Sequence, residues 1–134
     1  MTPRYLLDTN IISDLMRNPG GRVAGRIRAV GESAICTSIL VSAELRFGAA
    51  KRNAPSLAIL VDKILDRIPV LSLEAPVDQF YAVLRAKLEG MGQPIGAHDF
   101  LIAAHAQALG CILVTHNTRE FSRIQDLSIE DWLV

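Results

Sequence analysis

Short apolar runs alternate with longer stretches of helical spacing along most of the chain. Tyr5-Leu6-Leu7 stops at Asp8, and Asp8-Thr9-Asn10 supplies the small polar residues favoured where a strand turns into a helix, so a buried first strand is predicted there. Asn18-Pro19-Gly20-Gly21 breaks the chain, and Val23 to Val30 resumes with helical spacing. Ser33 to Thr37 reads as a second strand, with Ser38 capping a helix that runs to about Ala50. On that helix Leu40, Glu44 and Phe47 share a face, bordered by Ile39 and Ala43, which predicts an inward stripe interrupted by a carboxylate.

The second half repeats the alternation. Pro55 opens a helix through Arg67 with a stripe of Leu57, Leu60, Val61, Ile64 and Leu65. Val70 to Leu73 is a third strand. Pro76 starts a helix ending at Gly90, with Val77, Phe80, Tyr81, Leu84 and Leu88 on its apolar side. After the breakers Gly92 to Gly96, His98 to Leu109 reads as an alanine-rich helix that Gly110 terminates, and Cys111 to Thr115 as a strand buried on both faces. Strands alternating with helices predict a helix-covered, mainly parallel sheet, whose ligands bind beyond the carboxyl ends of the strands.

Composition narrows the picture. Half of the 134 residues are hydrophobic and 21% charged, which excludes intrinsic disorder and suits one α/β domain over residues 1–134. No run of about 18 apolar residues is available for a membrane span, and Asp8 cuts the first apolar run far short of a secretory signal. Cys36 and Cys111 lie in apolar stretches and read as buried thiols of a reduced, cytoplasmic protein. Fourteen basic and 14 acidic residues cancel, which argues against a uniformly basic nucleic-acid coat but leaves room for a basic rim beside an acidic pocket.

Three acids stand at the predicted strand-end rim: Asp8 after strand one, Glu44 on the helix after strand two, and Asp99 opening the alanine-rich helix, followed at i+3, i+4 and i+7 by Ile102, Ala103 and Ala106. Singly, Asp8 and Asp99 can be helix caps and Glu44 can pair with Arg46 or Arg85. Together they repel, since two charges about 4 Å apart interact by roughly 4 kcal/mol at an effective dielectric of about 20. A hard divalent ion, Mg²⁺ or Mn²⁺, offsets that repulsion with carboxylate and water ligands. The histidines offer a second route, paired imidazoles acting as acid and base, but His105 interrupts an alanine face as a structural residue does, and His98 and His116 flank loops; none is assigned a catalytic role.

The segments Leu6-Leu7-Asp8-Thr9-Asn10, Ser42-Ala43-Glu44 with Gly48, Gly96 to Asp99 with Ile102 and His105, and Thr115-His116-Asn117-Thr118-Arg119-Glu120-Phe121 with Glu130-Asp131-Trp132 resemble a PIN-domain ribonuclease, and more narrowly the VapC toxins of toxin–antitoxin modules. The resemblance runs from Tyr5 to Trp132. It implies a three-layer α/β/α fold and an endoribonuclease in which Asp8, Glu44 and Asp99 hold Mg²⁺ or Mn²⁺, with Thr9 and Thr115 orienting carboxylates or water. Where relatives often carry a fourth acid, Asn117 offers an amide oxygen without charge, and Glu120 is the nearest carboxylate substitute. The resemblance also implies cleavage of RNA, tRNA being the favoured target, to 5′-phosphate and 3′-hydroxyl ends. It further implies a VapB-type antitoxin, a homodimer, and inhibition of translation.

Arg46, Lys51 and Arg52 after Glu44, Arg85 and Lys87 on a further helix, and Arg119 and Arg123 after the Asn117 turn are the cations read as RNA-phosphate contacts. Three other classes compete. A receiver-like phosphoacceptor wants an Asp after the third strand and a Lys after the last, and neither is present; a dehalogenase-like phosphatase wants a carboxylate where Asn10 stands. An inactive PIN fold that only binds RNA or protein draws its support from Asn117.

Overall fold

A computed structural model describes residues 3–134, so Met1 and Thr2 of the expected unit lie outside the described residues. The strands are β1 (Tyr5–Leu7), β2 (Ile35–Ser38), β3 (Val70–Leu71), β4 (Ile112–Val114) and β5 (Ile129–Glu130). The α-helices are α1 (Thr9–Arg17), α2 (Arg22–Val30), α3 (Ile39–Lys51), α4 (Pro55–Arg67), α5 (Val77–Gly90), α6 (Ala97–Leu109) and α7 (Thr118–Phe121). The strands form one sheet in the order β3-β2-β1-β4-β5, every pair parallel.

This order positions the site. From β1 the chain steps outward through β2 to β3, then crosses back to β4 on the other side of β1 and ends at β5. Right-handed crossovers running in opposite directions cover opposite faces of the sheet and leave a crevice at the carboxyl ends of β1 and β4, where the direction reverses. Leu7 sits opposite both Thr37 and Val114, so Asp8 emerges at the centre of that crevice. The Thr37 hydroxyl donates to the Leu7 carbonyl at 2.7 Å and the Asp8 amide to the Val114 carbonyl at 2.9 Å, tying the three central strands together there.

Leu6, Leu7, Leu113 and Val114 are fully buried, as a strand covered on both faces requires, and Phe100 and Ile102 of α6 are buried with them. Each such side chain contributes about 1.5–3 kcal/mol of hydrophobic burial. Trp132 is buried with its ring 5.3 Å from that of Tyr5, and its indole donates to Glu130, so the Glu130-Asp131-Trp132 segment locks the chain end onto the sheet. Cys36 and Cys111 are buried and unbridged.

Several expectations shift. A 3₁₀ turn, Glu32–Ala34, precedes β2, so Ser33 lies outside the strand; β3 ends at Leu71, and β4 is shorter than its apolar run by a residue at each end. On α3 the inward face is Val41, Ser42, Leu45 and Ala49, whereas Phe47 and Ile39 are exposed. The predicted Leu40-Glu44-Phe47 stripe is therefore rotated from the true one, and Glu44 stands at its rim. On α4 and α5 the stripes exceed what the core takes in: Leu60 and Phe80 remain exposed, beside Ile59 and Val83. The elements α7 and β5 have no counterpart in the sequence reading.

Candidate active site

The crevice gathers residues from the start of α1, from α3 and α6, from the end of β4 and from α7. Asp8 is only 5% exposed. Its Oδ1 accepts the Thr9 amide at 2.8 Å, capping α1, and its Oδ2 accepts the Thr115 hydroxyl at 2.8 Å from the end of β4. Burial pushes the Asp8 carboxyl above its ordinary value, the two hydrogen bonds pull it back, the charge of Glu44 pushes it up and His98 pulls it down. Thr115 has a second task, since its hydroxyl accepts the Asn117 amide at 3.0 Å and so fixes the turn into α7.

Glu44 is held from both sides of the crevice. The Thr9 hydroxyl donates to its Oε1 at 2.8 Å, and Nε2 of His98, on α6, lies 2.9 Å from the same oxygen. Asp99 follows His98 in the first turn of α6, where the helix dipole favours an anion. Its carboxyl is nevertheless raised to about 6, first by burial and then by the charges of Asp8, Glu120 and Glu44, with His98 opposing. The charges that raise it are those of Asp8, Glu120 and Glu44, which places Asp99 on the same side of the sheet as these acids. Asn117 heads α7, one turn ahead of Glu120, so the carboxylate substitute expected for the missing fourth acid does reach Asp99 by its charge.

The expected ligands thus share a pocket, but among the described residues no three His, Cys, Asp or Glu side chains form a ready-made metal cage. Their oxygens are held apart: those of Asp8 by Thr115 and the α1 amide, that of Glu44 by Thr9. The donor set still fits a hard divalent ion, which binds through one or two carboxylates and keeps several waters. Two features bear on that fit, the Asp8 and Asp99 carboxyls both raised by burial and neighbouring charge, and a His98 ring whose Nε2 faces Glu44 Oε1 at 2.9 Å.

Basic residues are distributed differently from the sequence reading. Arg46 pairs with Asp62 at 2.6 Å on the exposed side of α3 and α4, and Arg85 pairs with Glu89 at 2.8 Å while its guanidinium lies 5.9 Å from the Phe100 ring. Lys51 lies 5.9 Å from the exposed Phe47 ring, and Arg119 is exposed on α7. The cations beside Glu44 are Arg17 and Arg52, which line an open groove of about 410 Å³ with Thr9, Met16 and Leu60. Arg17 was not singled out from sequence because it reaches the groove only through the packing of α1 against α3 and α4. His98 was passed over because its loop-flanking position says nothing of the partner across the crevice.

The PIN domain profile matches residues 5–127. The chain belongs to the PIN-domain family. Within it, the VapC ribonucleases align over nearly the whole length: the tRNA(fMet)-specific endonuclease VapC of Shigella flexneri is 37% identical over 131 residues, covering 96% of this chain and 98% of that protein. Ribonuclease VapC1 of Haemophilus influenzae is 35% identical over 130 residues, 96% and 97% of the two chains. Among solved structures, the DNA-bound VapBC of Salmonella typhimurium superposes with a TM-score of 0.91 at 34% identity, covering 97% of this chain and 98% of that one. This PIN domain is therefore a ribonuclease of the VapC type, and the crevice between β1 and β4 is the place in its fold where acids, hydroxyls and a histidine meet. None of its described helices is long and apolar enough to cross a membrane.

Proposed function

We propose that this PIN domain is a toxin-type endoribonuclease that cleaves RNA at the β1/β4 crevice with Mg²⁺ or Mn²⁺ held by Asp8, Glu44 and Asp99. The observation that carries this reading is the meeting of acids from separate elements at one crevice, Asp8 against Thr115 and Glu44 against Thr9 and His98, with the Asp99 carboxyl raised by burial and by their charges, an arrangement that a bound cation relieves. The cation, when bound, supplies Lewis-acid neutralisation of a phosphate and a more acidic water.

The chain's own groups do the positioning. Thr115 and the α1 amide fix both oxygens of Asp8, and Thr9 fixes one oxygen of Glu44, which sets the orientation of each carboxylate at the crevice. Asn117 presents an uncharged amide beside Glu120, and Arg17 and Arg52 stand ready for RNA phosphates along the groove. No side-chain nucleophile is called for: Ser42 is buried on the inward face of α3. An RNase A-like histidine pair has no support, because His105 is buried with its Nδ1 2.8 Å from the Ser38 hydroxyl while His116 pairs with Asp131 at the rim.

Transfer RNA is the proposed substrate, since the Shigella flexneri relative is named a tRNA(fMet)-specific endonuclease. A VapB-type antitoxin is the proposed partner, supported by the VapBC complexes among the structural neighbours and by exposed apolar side chains such as Val83, 69% exposed, and Ile59, 56% exposed. A homodimer in the cytoplasm completes the proposal.

The deciding experiment incubates the purified chain with tRNA, with and without Mg²⁺ or Mn²⁺, and maps the RNA ends. Cation-dependent cuts leaving 5′-phosphate and 3′-hydroxyl termini, absent with Asp8→Asn, are expected. Cleavage that survives both Asp8→Asn and chelation defeats the assignment; intact RNA with tight RNA binding favours the inactive, binding-only fold.

A further inference from the structure

Four arginines, Arg26, Arg46, Arg67 and Arg85, each lie against a carboxylate and are neutralised there. Arg17, Arg22 and Arg52 are exposed and, among the described residues, have no ion-pair partner. Their placement gives these three charges a common direction. Arg52 and Arg17 line the groove of about 410 Å³ that opens beside Glu44. Arg17 is also a wall of a second cleft, of about 530 Å³, at the turn between α1 and α2, and there Arg22 joins it. The acid of that second lining, Asp14, already accepts the Asn18 side-chain amide at 2.9 Å. The two clefts thus meet at Arg17 and lead away from the crevice along α1. From Thr9, which holds Glu44, to Arg17 the helix rises about 12 Å at about 1.5 Å per residue. A stacked strand advances about 3.4 Å per phosphate, which puts Arg17 about three to four phosphates from the acids.

We infer that Arg52, Arg17 and Arg22 form a track for the phosphate backbone of an RNA strand leaving the crevice, and that the cleft between Arg17 and Arg22 is a phosphate subsite remote from the cut. The inference rests on the ribonuclease reading of the crevice and adds a direction and a far contact to it. A lone exposed arginine is ordinarily a solvated charge. Three without partners, strung along two connected clefts, supply the spaced cations that a polyanion needs. Neither lining holds an aromatic side chain on which a base would stack, so the contact is made to phosphates and is blind to sequence. Arginine suits the task, since its planar fork takes two phosphate oxygens at once. The zero net charge of the chain conceals the track, because the crevice acids cancel it in the sum.

The test measures how RNA affinity depends on salt. The full-length chain, kept in chelator so that RNA stays intact, is titrated with tRNA and with oligouridylate and oligoadenylate of about 12 nucleotides, over about 50 to 200 mM salt. Arg17→Gln and Arg22→Gln are compared with the parent and with Arg22→Lys, which keeps the charge. Arg28→Gln is the control, since Arg28 is on the same helix as Arg22 but lines a different cleft, with Glu32. Arg17→Gln and Arg22→Gln should each lower the slope of log affinity against log salt by about 0.7–0.9, the share of one phosphate contact. Affinity at about 50 mM salt should fall by at least about threefold, equally for the two oligonucleotides. Arg22→Lys and Arg28→Gln should keep the parent slope. Slope and affinity unchanged in Arg22→Gln, or lowered as much in Arg28→Gln, overturn the track while leaving the nuclease reading intact. Oligoglutamate binding that these variants lose while RNA binding persists also overturns it, and assigns the cleft to an acidic protein segment. A parent that neither binds tRNA nor cleaves it with Mg²⁺ or Mn²⁺ overturns the nuclease reading and this inference with it.

Discussion

Asp99 shows how a single side chain reports on its surroundings. Its carboxyl is raised from 3.8 to about 6, so folding takes up a proton between those values. The stability this contributes is complete below the lower value and is lost as pH rises through the upper one. The cation-free chain should therefore lose about 1–2 kcal/mol between about pH 4 and pH 7 from this group, a figure reduced from the full shift because Asp99 is partly solvated. Asp99→Asn should remove that loss, leave the chain at least as stable at neutral pH, and abolish cation-dependent cleavage. Denaturant unfolding in chelator across that pH range checks the sign; a variant less stable than the parent at pH 7 contradicts it. The Asp8 shift runs in the same direction, so a smaller pH dependence remains in the variant.

At the scale of elements, helix ends carry much of the local information. Gly110 closes α6 in the left-handed conformation at φ 68°, and a Cβ there would meet nothing within 4 Å. Gly110→Ala is expected to cost about 1–2 kcal/mol through backbone strain alone, read as a lower midpoint in denaturant without change in slope. Ser38 does two jobs where β2 becomes α3: its hydroxyl accepts the Leu40 amide at 3.1 Å and stands 2.8 Å from His105 Nδ1. Burial lowers the His105 ring below its ordinary value, so a neutral imidazole bridges α6 and the strand end. Ser38→Ala should cost about 2–3 kcal/mol, a lost cap together with an unpaired buried nitrogen, whereas Ser38→Thr should retain most of the stability. Caps and alanine-rich stretches of this kind were legible along the chain because their hydrogen bonds are local. The phase of α3 was not, since Phe47 and Leu45 are both apolar and only the neighbours decide which one turns inward.

For the whole molecule, the parallel order β3-β2-β1-β4-β5 has a functional consequence. It brings Asp8 and Thr115, separated by 107 residues, to a 2.8 Å hydrogen bond, and sets α3 and α6 across the same crevice. A ligand that binds only this assembled crevice stabilises the fold: Mn²⁺ at about 100 times its Kd should add about 2.7 kcal/mol. Thermal unfolding with and without chelator should show that gain in the parent and its loss in Asp8→Asn. An equal gain in both would place the cation elsewhere.

The order of apolar runs, turn residues and acids was enough to determine the class of fold, the α6 stop at Gly110, the cap at Ser38 and the identities of Asp8, Glu44 and Asp99 as the acids at the strand ends. Those features depend on spacing within a few residues or on motifs carried whole in the chain. The two-residue strand β5 and the single-turn helix α7 are too short to show a period; β5 forms because Leu113 and Val114 offer an edge to Ile129 and Glu130, and the turn into α7 is held by the Thr115 hydroxyl. That Arg17 joins Arg52 beside Glu44, and that His98 faces Glu44 from the opposite wall, was decided by tertiary structure alone. Contacts between helices distant in sequence arise from strand order and packing, neither of which leaves a local trace.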